Sequence, residues 1–373
     1  MNISILTCGR SDYSIYRPLL TKLAQKKSYN VTLVAFGTHL AKEFGETLRY
    51  IKKDGFAKIL TVKHNTGLGG RFDNAEAMAD CTKLFAKYWR DSEVDLIFSL
   101  GDRFEMFAAV AASIPFDIPV AHIHGGEKSL GAMDNIFRDA ITSMSTLHFT
   151  TCTKHATRVK QILGNNSDLV FNVGSLGVEA MKNCNLFNPD KFKNEFGVDL
   201  SLPTALVTCH PETKGDTENY QKICELLSAL DSENYQKVFT LPNNDFDGKI
   251  IAKEIKQYCK SRANCIAFES LGVAGYYSAL FHCSFLLGNS SSGIIESASF
   301  GKWFINVGAR QQGRVRSKNV LDVAFDRNEI GIAINKIRNR KEFNGVNIFD
   351  GGNTSSKIIS AIEEWQTNGK NHC

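Results

Sequence analysis

Gly288-Asn289-Ser290-Ser291-Ser292-Gly293-Ile294-Ile295-Glu296 follows the apolar run Phe285-Leu286-Leu287 and opens a helix-compatible segment. A buried strand that ends in small residues lets the backbone turn closely, and hydroxyls with the free N–H groups of a helix start then face an incoming anion. The expected chemistry is a phosphate seat. Glu296, about one turn into the helix, reaches a sugar hydroxyl from the same side, which suits a nucleotide carrying a diphosphate and a ribose. A Ser-rich helix cap without a ligand fits the same residues.

Other reactive residue types also stand directly after apolar runs. Cys8-Gly9-Arg10-Ser11-Asp12-Tyr13 follows the first of them. Gly9 permits a tight turn and Arg10 offers a planar fork to phosphate oxygens, although the glycines of a dinucleotide fingerprint are missing. Gly101-Asp102-Arg103 repeats the arrangement: Asp102 accepts a proton or fixes a hydroxyl, Arg103 holds an anion, and the competing reading is an Asp cap on a helix near Phe104. His122-Ile123-His124-Gly125-Gly126-Glu127 ends another strand, so two histidines at a spacing of two share a face and serve as acid, base or, with Asp102 or His210 as a third ligand, metal donors. Asp134 and Arg138 lie one helical turn apart and point from one helix face. Cys209-His210-Pro211-Glu212 places His210 to bind phosphate or protonate a leaving group. Gly308-Ala309-Arg310-Gln311-Gln312-Gly313-Arg314 makes a second anion clamp.

The elements that position these groups are short β-rich runs alternating with helical patterns. Strands are expected at Ile3–Leu6, Val31–Phe36, Ile59–Val62, Leu96–Leu100, Val120–Ile123, Leu147–Thr151 and Val170–Val173, then at Ala205–Thr208, Lys237–Leu241, Cys265–Phe268, Ser284–Leu287 and Phe304–Val307. Strand and helix in alternation mean parallel sheets covered on both faces. Two Rossmann-like doubly wound α/β domains are expected, 1–174 and 175–354, with a final helix in 355–373 packing back on the first. Ligands bind outside the carboxyl ends of parallel strands, so the expected site is a cleft between two such lobes.

With 373 residues, 43% hydrophobic and 22% charged, the chain suits two folded domains and not a disordered segment. A net charge of +5 without a concentrated Lys/Arg block favours an anionic small molecule over nucleic acid. Ten cysteines are scattered without a C-x-x-C pair and read as reduced, buried thiols. The start of the chain reads as a strand and not a signal peptide, and the apolar region from Met106 to Ile123 is broken by Pro115, Asp117 and Pro119. A cytoplasmic protein without a membrane span is expected.

Taken in order, GRSDYS at Gly9–Ser14, GDRFE at Gly101–Glu105, HIHGGE at His122–Glu127, the Asp134/Arg138 pair, FNVGSLG at Phe171–Gly177, HPET from His210, GNSSSG at Gly288–Gly293 and RQQGR from Arg310 resemble the UDP-N-acetylglucosamine 2-epimerase family, specifically its hydrolysing branch in sialic and related nonulosonic acid synthesis. The resemblance runs nearly end to end. It implies a GT-B-like fold, a UDP-sugar substrate, no nicotinamide or metal, and a homodimer or homotetramer. It implies that Arg10, His210, Ser290, Ser291 and Arg310 contact the diphosphate, that Glu296 holds the ribose, and that Gly272 lies beside uracil. Asp102, Arg103, Glu127, Asp134 and Arg138 line the hexose pocket; Ser14 and Gly174 of the shared motifs join the substrate-binding set. The chain departs from the family pattern at His124, where many members have glutamate, at Ile15, where they have Lys, and at Asp139, where they have His. His124, Glu127 and Asp102 are therefore all candidates for the base. The implied reaction is anti elimination of UDP to a glycal, followed by hydration with inversion at carbon 2. A non-hydrolysing epimerase, a GT-B glycosyltransferase and a non-enzymatic nucleotide-sugar sensor are the competing readings.

Overall fold

The computed structural model describes residues 1–41, 47–56, 58–64, 71–128, 134–164, 168–212, 219–242 and 246–370, excepting the side chains of 71, 246, 247, 369 and 370. Its contacts divide it into two units, Met1–Ala180 with Phe349–Cys373, and Met181–Ile348.

The first unit runs β1 (Asn2–Thr7), α1 (Arg10–Leu23), β2 (Asn30–Phe36), α2 (Leu48–Asp54), β3 (Lys58–Val62), α3 (Arg71–Arg90), β4 (Leu96–Leu100), α4 (Phe104–Ala111), β5 (Val120–Ile123), α5 (Asp134–Met144), β6 (Leu147–Thr150), α6 (Thr153–Ile162) and β7 (Val170–Asn172). Helix α7 (Leu176–Lys182) crosses into the second unit, which continues with α8 (Pro189–Phe196), β8 (Thr204–Thr208), α9 (Asn219–Asp231), β9 (Gln236–Thr240), α10 (Phe246–Lys260), β10 (Cys265–Phe268), α11 (Gly272–His282), β11 (Phe285–Gly288), α12 (Ser291–Ile295), β12 (Trp303–Val307), β13 (Val320–Val323) and α13 (Arg327–Arg338). The last helix, α14 (Thr354–Lys370), belongs to the first unit.

Among the described residues the first unit has a sheet ordered β3-β2-β1-β4-β5-β6-β7 and the second one ordered β10-β9-β8-β11-β12-β13, with parallel pairings throughout. This is the doubly wound α/β architecture expected from the alternation. Strand side chains alternate between two helix layers. Ile3, Ile5, Phe98 and Phe149 pack with Leu19 and Leu23 of α1 and with Ile358 and Ile362 of α14, whereas Leu6, Val34 and Ile97 pack on Phe85 and Trp89 of α3 and Met106 of α4. In the second unit Val207, Phe239, Leu287 and Ile305 pack against α9, α10 and α13 through Leu226, Ile255 and Ile334.

Strand order reverses between β1 and β4 in one sheet, and between β8 and β11 in the other. At such a point neighbouring connections leave on opposite faces and open a crevice beyond the strand ends. The segments there are Cys8–Arg10 and Gly101–Arg103 in the first unit, and Cys209–His210 and Gly288–Ser290 in the second. Strand β13 is absent from the sequence expectation. It is an edge strand whose Val-Leu-Asp-Val run is short, half-buried and interrupted by Asp322.

Candidate active site

At the switch point of the second unit, β11 ends on Gly288 with φ +129°. A Cβ there would lie 1.9 Å from the Thr208 carbonyl oxygen, so glycine is required where β8 and β11 leave the sheet together. Asn289, wholly buried, then joins three loops. Its Oδ1 accepts from His210 N at 2.7 Å, and its Nδ2 donates to His210 O at 2.9 Å. Its own carbonyl accepts Arg310 Nη1 at 3.0 Å and Gln311 Nε2 at 2.8 Å. Arg310, His210 and the Ser290–Ser291 turn are thereby brought together. Ser290 is the cap of α12, its hydroxyl accepting Ser292 N at 3.4 Å, as the capping reading expects. Glu296 follows that short helix. Tyr277 donates to its Oε1 at 3.3 Å, and burial pushes its carboxyl up against the pull of the Ser292 and Tyr277 bonds. Gly272 begins α11, its N–H bonded to Ser270 Oγ at 3.1 Å. Past the ends of β12 and β13, lined by Gly308, Ala309 and Phe325, lies a cavity of about 1080 Å³, on whose wall Lys222 pairs with Glu212 and Arg316 with Asp322.

The first unit gathers the other group of residues. The buried guanidinium of Arg138, from α5, donates to Asp102 after β4 and, at 2.5 Å, to the His124 carbonyl after β5. Asp102 does not cap α4: the cap position is Arg103, which has no side-chain cap bond. Arg103 instead forks onto the buried Glu105 at 2.8 and 3.2 Å. The Asp134 carboxyl is raised by loss of water and by the Asp102 charge, while Arg138 pulls it down.

The two histidines of the H-x-H pair part company. His122 Nε2 donates to Gly101 O at 2.9 Å, which leaves Nδ1 to accept the Thr142 hydroxyl at 3.1 Å, and burial drives its pKa down to about 3. It is a neutral tie between β5 and the Asp102 loop. His124 lies past the end of β5 with φ +66°, a conformation non-glycine residues rarely take, so strand alternation no longer decides its direction. Its Nδ1 is 3.4 Å from Glu127 Oε1, which also accepts Thr151 Oγ1 at 3.3 Å; that hydroxyl in turn meets His155 Nδ1 at 2.7 Å. Among the described residues no three His, Cys, Asp or Glu side chains gather as a metal ligand set.

Arg10 starts α1 at the switch point and is exposed, and Ser14 donates back to its carbonyl at 2.9 Å. Asp12, which the motif reading left without a role, fixes this turn by accepting Cys8 N at 3.1 Å. Gly174 packs its backbone against that of Gly351, which gives it work in the fold of the first unit. Thr213 of the HPET run lies outside the described residues. If the seat binds diphosphate, Ser290→Ala with Ser291→Ala weakens UDP binding about tenfold or more in calorimetry, and Ser292→Ala weakens it less; equal and negligible effects leave a plain helix cap.

Comparison with known proteins supplies independent findings. The family model described as UDP-N-acetylglucosamine 2-epimerase matches residues 21–363. The chain is 34% identical over 341 residues to the Escherichia coli polysialic acid biosynthesis protein P7, covering 91% of this chain and 86% of that one. It is 32% identical over 343 residues to the Campylobacter jejuni protein named GDP/UDP-N,N'-diacetylbacillosamine 2-epimerase (hydrolyzing), covering 91% and 88%. The crystal structure of UDP-GlcNAc 2-epimerase from Neisseria meningitidis bound to UDP-GlcNAc superposes with a TM-score of 0.82 over 98% of this chain and all of that one, at 16% identity. That likeness carries the fold.

Proposed function

The chain belongs to the UDP-N-acetylglucosamine 2-epimerase family, and from this we propose that it is a hydrolysing 2-epimerase. It converts UDP-N-acetylglucosamine, or UDP-2,4-diacetamido-2,4,6-trideoxyglucose, and water to UDP and the free manno-configured sugar, for nonulosonic acid synthesis. It works in the cytoplasm as a homodimer or homotetramer, without nicotinamide or metal.

The observation that carries the reading is Arg138, which ties Asp102 and the His124 backbone to one guanidinium at adjacent strand ends. Inversion at carbon 2 needs one group to remove a proton and another to return one on the opposite side. Asp102 and the His124–Glu127 pair are two such groups within one unit. In the first step the carbon 2 proton passes to the base, its electron pair forms the carbon 1–carbon 2 double bond, and the bond from carbon 1 to the UDP oxygen breaks. In the second, the double bond's electron pair takes a proton at carbon 2 from the other group, a water oxygen bonds to carbon 1, and that water's surplus proton passes to a carboxylate. Because the carbon 2 proton is weakly acidic, base and departing UDP act in concert. Arg10, Arg310 and the Ser290–Ser291 turn offset the charge developing on UDP, His210 protonates it, and Glu296 holds the ribose.

Incubation with either substrate in heavy water is the test. The expected products are UDP and a free manno-configured sugar carrying deuterium at carbon 2. Protium at carbon 2 rules out elimination, a product still linked to UDP makes the enzyme non-hydrolysing, and a gluco-configured free sugar identifies a transferase hydrolysing its donor.

A further inference from the structure

We propose that Glu212 is the positioning residue for Arg310, holding its backbone so that the guanidinium is preset for a nucleotide diphosphate; the diphosphate part rests on the function proposed above. Glu212 and the Arg310 loop are 97 residues apart in sequence. Glu212 Oε1 accepts Ala309 N at 2.6 Å and Arg310 N at 3.1 Å, while Lys222 Nζ donates to Oε2 at 2.8 Å. Two successive N–H groups converging on one oxygen form an anion-binding nest, here filled by the protein's own carboxylate. Lys222 neutralises that carboxylate.

The approach is built in. Gly308 has φ +78°, and a Cβ on it would lie 2.5 Å from Glu212 Oε1. Only glycine lets the carboxylate reach both amides. Glu212 keeps only 13% of its side chain exposed, although the Ala309 and Arg310 residues whose amides it binds are exposed, and a carboxylate acceptor makes these charge-assisted bonds. Arg310 itself is exposed, yet it is fixed at both ends: its N–H by Glu212 and its guanidinium by the Asn289 carbonyl. An arginine ordered before the ligand arrives loses less freedom on binding.

The test is calorimetric titration of the full-length protein and its variants with UDP, with thermal melting of each. Glu212→Ala is expected to weaken UDP about 10- to 100-fold, the worth of hydrogen bonds to a charged group. Glu212→Asp keeps the charge but falls a methylene short of the two amides and behaves like Ala. Glu212→Gln keeps the reach and an acceptor oxygen and recovers most of the loss. In Arg310→Ala, adding Glu212→Ala changes affinity by less than about twofold, because both act through one side chain. Additive losses, or Asp tolerated better than Gln, overturn the assignment; should Glu212→Ala not fold, the Asp and Gln variants decide it. Wild-type protein that does not bind UDP sinks the functional reading, whereas UDP binding indifferent to all three Glu212 variants sinks this inference alone.

Discussion

Asp102→Asn is expected to lower turnover of the UDP-sugar by about two to four decades, the range for removing a group that transfers a proton in the transition state, with UDP affinity nearly unchanged. Asp102 keeps 28% of its side chain exposed, whereas its partner Arg138 keeps 8%, so one flank of the carboxylate is tied down and another is open. Asparagine retains a carbonyl oxygen for Arg138 Nη2, which preserves the tie, but cannot take up a proton. The loss therefore falls on kcat. Glu127→Gln belongs to the same experiment, since Glu127 also faces a histidine and a hydroxyl donor. Initial rates with calorimetric UDP affinities measure both. Near-normal turnover of Asp102→Asn makes Asp102 a structural partner of Arg138 and leaves His124 and Glu127 as the base candidates.

The sheets were legible because their strands are buried on both faces and read as unbroken apolar runs, Leu96–Leu100 being the plainest. Strand β13 was not, because an edge strand needs only one apolar neighbour and its Asp322 pairs with Arg316. Motifs at strand ends were legible for a related reason: where an apolar run stops and Gly, Ser, His or Asp follows, the chain has left the sheet at its ligand-facing end. What the sequence could not disclose are side chains whose partners are distant loops. Asn289 reads locally as one more small polar residue before a helix, yet its amide pairs with the backbone of His210, 79 positions earlier. Glu212 reads as the residue after a proline, yet it binds the Arg310 loop. No local pattern marks such bonds, because the donors are backbone amides that every residue carries.

Acidification is expected to destabilise the first unit between about pH 6.5 and about pH 4, by about 1.4 kcal/mol per pH unit for each buried neutral histidine. Burial depresses His39 to about 4, His122 to about 3 and His148 to about 4, each from an ordinary 6.5. Since the folded values lie below the unfolded one, the unfolded chain takes up protons first as pH falls, and stability is lost from the unfolded value downward until the folded pKa is reached. Asp12 works the other way. Burial raises its carboxyl, so the folded state binds that proton first and part of the loss is offset. A variant isolates one histidine from this mixture: His122→Gln places an amide N–H where Nε2 donates to Gly101 O, and it cannot titrate. Urea unfolding of the wild type and this variant, compared at about pH 7.5 and about pH 5.5, should give a stability loss smaller in the variant by about 1.4 kcal/mol. Equal losses mean that His122 is not held neutral, and that its bonds to Gly101 and Thr142 do not set the geometry of the Asp102 loop in the way derived from them.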